Sequence, residues 1–266
     1  MCIRDSLYGL PITALAALTA IAVGGAPSQP WGLVWLGWLV IGAIGQIIAT
    51  FLLLELMRLR NFAVGIAWSK TEIVLIAIGG WLFLGDALGL LAVAAVMLAT
   101  VGVLCLSLKE VRLHDLLAAD RFAEMWRGLA AGAGFAIAAV AYRAAILEVD
   151  GPTFYGAAAW NLLWAQSLQT LLVMGYLWQR DRPVIGAVFR HWRPSLFAGT
   201  MGGLASLGWF SAFALEPAAH VRTLGLAEML LALAVSMRLF REKTGPLELG
   251  GQALVALAVM LILAAG

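Results

Sequence analysis

Nine stretches of mostly apolar residues follow one another along this chain. Each is near the length of about 20 residues that a helix needs to cross a bilayer. That length decides most of what the chain can become. A segment in hydrocarbon has no water to bond its peptide groups, so it must satisfy them itself, as an α-helix does. The stretches are residues 7–26, 31–54, 62–84, 87–108, 128–147, 153–178, 194–215, 218–240 and 247–265. Composition agrees. Of the 266 residues, 63% are hydrophobic and 12% charged, against about 45–50% and about 25% in soluble domains. So few charges cannot cover a water-soluble surface of this size. The first stretch is itself long enough to span, so it is not read as a cleaved leader. Residues 1–6 differ in character and are read as a non-native start without structure.

One pattern occurs twice. In residues 62–104 an apolar run holds Glu72, a turn holds Asp86 fourteen residues later, and a further apolar run follows. Near the C-terminus Glu228 and Glu242 have the same spacing, and each lies 156 residues beyond its counterpart. Self-similarity of this kind reads as an internal duplication. The expected fold is an all-α integral membrane protein, an inverted repeat of five-helix units with nine helices present. Residues 7–108 form the first repeat, with four helices and its opening helix missing. Residues 109–127 are a polar linker, and 128–266 form the second repeat, with five helices. An odd number of helices per repeat inverts the second copy, as in many transporters. Arg58 and Arg60, residues 109–127, Arg180 to Arg193, and Arg238 to Lys243 all fall on one membrane face. The positive-inside rule makes that face cytoplasmic and puts the C-terminus outside.

The doubled pattern, with Phe83-Leu84-Gly85-Asp86 and Leu239-Phe240-Arg241-Glu242 before helices carrying Gly102 and Gly250-Gly251, resembles the drug/metabolite transporter superfamily, EamA type. The resemblance covers the chain after Ser6 and rests on the order and doubling of loose motifs. It implies a ten-helix permease of the bacterial inner membrane, with a central cavity between repeats. Its substrates would be metabolites, amino acids or drug-like solutes, often exported. The chain departs from the family in having nine helices and, by charge bias, an external C-terminus.

Ionisable groups at a helix centre in lipid cost several kcal/mol, with about 2.5–3.5 kcal/mol the lower estimate. Glu72 and Glu228 each fall about ten residues into their helices, near mid-depth. They read either as cavity groups that bind a cation or take up a proton, or as structural acids bonded to a neighbouring helix. Lys70 reads as an anchor for an anionic group or as a snorkelling lysine. Arg143 is a candidate for an anionic substrate or Glu148, against a plain interface anchor. Trp160, Asn161, Trp164 and Gln166, with Gln169, give an uncharged polar-aromatic helix. Asn161 and Gln166 either contact a solute or join helices. Asp86 and Glu242 read as helix N-terminal acids.

Other chemistries lack a signal. There is no GxxxxGK[ST] loop for ATP, and no Cys/His cluster or HExxH for a metal. No cofactor is expected. The basic loops fit topology rather than nucleic-acid binding. The expected function is secondary-active transport of a small solute, with a proton or another ion as coupling partner, and not catalysis. The mixed charges suit a zwitterion or a cationic drug. Two alternatives differ in class. A membrane enzyme on lipid-linked substrates needs an acid–base set in one loop, where residues 180–193 offer only Asp181 and His191. A non-transporting scaffold predicts that Glu72 and Glu228 are replaceable.

Overall fold

A computed structural model describes residues 2–25, 27, 32–58, 68–107, 122–150, 153–231 and 245–265. The described residues are helical throughout, apart from turns and short links. In chain order the helices are α1 (Cys2–Gly24), α2 (Leu33–Leu56), α3 (Glu72–Gly79), α4 (Leu90–Ser107), α5 (Phe122–Leu147), α6 (Phe154–Arg180), α7 (Arg182–Arg190), α8 (Trp192–Leu215), α9 (Ala218–Gly225) and α10 (Pro246–Ala265). Among them, Ser6–Gly24, Leu33–Leu56, Phe122–Leu147, Trp192–Leu215 and Pro246–Ala265 are long and apolar enough to cross a membrane. The chain is therefore an all-α protein with several membrane-spanning candidates.

It divides into two compact units. One is Met1–Ile47 with Ala138–Glu216, the other Ile48–Ile137 with Pro217–Gly266. In the first, α1 packs on α6 and α8. Ala16, Ala17 and Ala20 of α1 meet Ala159 of α6, with Tyr155, Leu163 and Leu207 around them. Small residues allow this approach: a Cβ on Gly203 would lie 2.6 Å from Ile12 Cγ2, and one on Gly9 3.1 Å from the Gly199 carbonyl. Lipid supplies no hydrophobic drive between helices, so close packing must supply the attraction.

In the second unit α4 packs along α10. Gly102 faces Gly251, while Ala92 and Ala95 cluster with Ile262, so the two helices run in opposite directions. A Cβ on Gly251 would come within 2.8 Å of the Gly102 carbonyl, and one on Gly102 within 2.9 Å of the Gly251 carbonyl. Gly132 of α5 approaches Ser69 in the same manner, at 2.6 Å from its carbonyl. The chain leaves α3 through one π-helical turn, Gly80–Leu84, closed by Gly85 in the left-handed region at φ 68°. That conformation favours glycine.

Several expectations need correction. The first helix begins at Cys2, where no structure was expected, because the helical pattern extends back through residues 2–6. The stretches 62–84 and 218–240 are not continuous helices: turns intervene at Lys70-Thr71 and at Leu226. The connector 179–193 is itself helical as α7, because Val184, Ile185 and Val188 recur at helical spacing. Asp86 is not at the start of a helix but in the link 85–89, four residues before α4, where its N–H donates to the Gly80 carbonyl at 3.1 Å. Glu242, Arg238 and linker residues 109–121 lie outside the described residues.

The glycine contact yields a paired prediction. Gly251→Ala places a methyl against backbone that cannot swing away, and should cost about 1–3 kcal/mol. Gly250→Ala has nothing within 4 Å of its new methyl and should be neutral or slightly stabilising. Thermal unfolding of both variants in detergent checks the difference.

Candidate functional site

The residues singled out above separate into two groups. Arg143, Trp160, Asn161, Trp164 and Gln166 belong to the first unit, and Lys70, Glu72 and Glu228 to the second.

In the first unit the polar groups are largely engaged by the protein. Asn161 is fully buried. The Trp35 indole N–H donates to its Oδ1 at 2.8 Å, and its Nδ2 donates to the Ala157 carbonyl at 2.8 Å. Trp164 stands edge-on to Trp35 (6.5 Å between centroids) and to Trp160 (5.9 Å). Gln166 Oε1 accepts from the Thr13 hydroxyl at 3.0 Å and ties α6 to α1. One turn on, Gln169 Nε2 donates to the Tyr142 hydroxyl at 2.7 Å, and Tyr142 lies on Phe210. Arg143 is 7% exposed and caps α8. Its Nη1 donates to the Phe213 and Glu216 carbonyls, both at 2.6 Å. A guanidinium there satisfies carbonyls left open at a helix C-terminus and complements the negative end of the dipole. This group therefore joins helices.

The second unit holds a different arrangement. In each of two apolar segments α-helical bonding gives way briefly to shorter i→i−3 bonds. Thr71 N–H donates to the Trp68 carbonyl at 3.2 Å, and Leu226 N–H to the Thr223 carbonyl at 3.2 Å. Thr71 has φ −62° and ψ −10°, and Leu226 has φ −63° and ψ −14°. These ψ values lie above the helical value of about −42°. Short 3₁₀-type pieces inside a helix often mark a hinge. The two turns flank one ion pair. Glu72 opens α3 directly after the first turn, and Arg222 lies four residues before the second. Arg222 Nη1 stands 4.0 Å from Glu72 Oε1, with side chains only 22% and 15% exposed. A hydrogen-bonded ion pair closes to about 2.7–2.9 Å, so this one is loose. Beside it Thr223 is fully buried, and its hydroxyl has no hydrogen-bond partner among the described residues. Lys70 is half-buried in the first turn, and Glu228 is exposed beyond the second.

Arg222, Thr223 and Glu248 escaped the sequence reading. Arg222 is 150 residues from Glu72 in the chain, so no local pattern pairs them. Thr223 carries no signal in an apolar run. Glu248, 6% exposed in the first turn of α10, was readable as an acid at the head of a spanning segment. His220 lies within α9. Among the described residues no cluster of His, Cys, Asp or Glu could hold a metal.

The Asn161 contact is testable. Trp35→Phe strands a buried carbonyl and should cost about 1–3 kcal/mol. Adding Asn161→Leu removes the stranded group and should recover part of that loss. A thermal double-mutant cycle checks the coupling.

No family model and no curated protein matches the chain. A solved structure described as "Crystal structure of protein" is similar to it, with a TM-score of 0.67 at 16% identity, over 99% of this chain and 88% of that one. At that identity the likeness concerns the fold alone.

Proposed function

We propose that the chain is a secondary-active permease for a small polar solute, resembling drug/metabolite transporters, with its site where α3 and α9 meet. The observation that carries this reading is the pair of helix interruptions around Glu72 and Arg222. The i→i−3 bonds close at Thr71 and Leu226, 155 residues apart, within one residue of the 156 that separate Glu72 from Glu228. Interrupted apolar segments at matching places in two halves point to the binding site of a transporter. Irregular backbone at membrane depth is tolerated where it is buried in protein or lines a water-filled cavity.

The inverted repeat also accounts for the packing of α4 on α10. If a two-fold axis relates the repeats, the contact of Gly102 with Gly251 requires a second between their counterparts, 95 and 258. Those residues are Ala95 and Ala258, both fully buried. The repeats are not chemically equal. The position matching Arg222 is Ile66, so Glu228 has no arginine at the corresponding place. Glu72 stands beside an arginine that the matching place does not offer to Glu228, and this asymmetry suits a single site better than two.

In this reading the solute engages Glu72 and Arg222 in place of their mutual contact. Parting a loose pair costs less than parting a closed one, because less Coulomb energy is lost. A solute with both charges replaces what each partner gives up, and a cation replaces only half. The interrupted turns supply the hinges for opening and closing around it. Proton coupling would run through Glu72, the more buried acid.

Proteoliposome flux tests the reading, with amino acids and cationic dyes, with and without a pH gradient. Glu72→Gln and Arg222→Gln should each lower flux at least tenfold in folded protein, and Glu228→Gln should lower it less. Flux unchanged in Glu72→Gln would make the acid structural. Absence of flux for every solute would favour a scaffold.

A further inference from the structure

The connector between α6 and α8 is not a plain polar loop. Its helix α7 is held at a fixed height, because α6 ends at Arg180 and the spanning helix α8 begins at Trp192. Two contacts hold it down: Val188 is buried, and the Tyr8 hydroxyl of α1 donates to the Val188 carbonyl at 3.2 Å. On the helix, Val184, Ile185, Val188 and Phe189 form one apolar arc. Arg190 falls on the opposite face, and Arg182 at the edge of the arc, seven residues from Phe189 and so next to it on the helix surface. Arg180 and Arg193 flank it, so four arginines stand within fourteen residues against one acid, Asp181. All four are exposed, as are Trp178, Phe189 and Trp192 beside them. The Arg182 guanidinium lies over the Trp178 ring at 5.0 Å, and Arg193 over Trp192 at 5.4 Å.

We infer that α7 is a docking surface for anionic phospholipid headgroups. The height fits, since the end of a spanning helix lies at the headgroup layer, where tryptophan is enriched. The chemistry fits, since arginine matches phosphate with two parallel N–H donors. The aromatic rings restrict where two guanidinium groups can go, so less freedom is lost when phosphate binds. The mixed surface suits no water-soluble anion as well: Val184 and Phe189 project beside the arginines and need acyl chains to cover them. By the positive-inside reading this face meets the cytoplasmic leaflet, whose anionic lipids attract basic segments. The inference does not rest on transport.

The test uses the full chain in detergent. Native mass spectrometry compares binding of phosphatidylglycerol and phosphatidylcholine by wild type, by Arg182→Gln/Arg190→Gln, and by Arg58→Gln/Arg127→Gln, which removes equal charge elsewhere. Wild type and the control pair should prefer phosphatidylglycerol, and the α7 pair should lose that preference by on the order of tenfold. Should the α7 pair fail to fold, Arg190→Gln alone should weaken it by roughly threefold to fivefold. No preference in wild type, equal loss in the control pair, or α7 variants within twofold of wild type would each overturn the inference.

Discussion

Peptide groups that cannot reach water must bond to one another, and the rest of this molecule follows from that constraint. It makes the described chain helical, and it makes every departure from helix informative. The two turns at Lys70-Thr71 and Leu226 cost hydrogen-bond geometry in segments otherwise apolar. Neither turn holds a proline, but each has a local contributor: the Thr71 hydroxyl donates to the Trp68 carbonyl at 2.8 Å, and Gly225 directly precedes Leu226. Between the turns stand a loose ion pair and a fully buried threonine.

Attraction between the helices comes from a second source. With so few charges, interlocking must hold them. Glycines and alanines at α1/α8 and α4/α10 let backbone carbonyls approach the facing helix at about van der Waals distance. The polar contacts follow the same economy. Asn161 accepts from one helix and donates to its own, and Arg143 closes two carbonyls at once. Each sits where an unpartnered group would be most costly.

The spans were readable because about 20 apolar residues have one stable form in lipid. Glu72 was readable because an acid in such a run is rare. The rest depended on information absent from periodicity. A turn of ψ from about −42° to −10° leaves no mark on hydropathy, so residues 62–84 and 218–240 looked continuous. Arg143 and Asn161 each kept two readings, one toward a solute and one structural, because a sequence shows a polar side chain and not its partner. Phe213, Glu216 and Trp35, which engage them, are remote in the chain. Helix α7 was hidden by its arginines. Counting charge marked a polar connector, whereas the spacing of Val184, Val188 and Phe189 marks a helix face.

The two acids that share a sequence pattern end in different surroundings. Arg222 stands 4.0 Å from Glu72, whose side chain is 15% exposed. Glu228, 156 residues further on, is exposed beyond its turn, and the residue 156 positions before Arg222 is Ile66. A buried carboxylate without a counter-charge is costly, so the arginine stands beside the acid that the fold encloses. Equal spacing along the chain therefore does not carry equal environment. One residue type at one offset is enclosed next to a charge in the first segment and left at the surface in the second, and that difference comes from packing rather than from the local pattern.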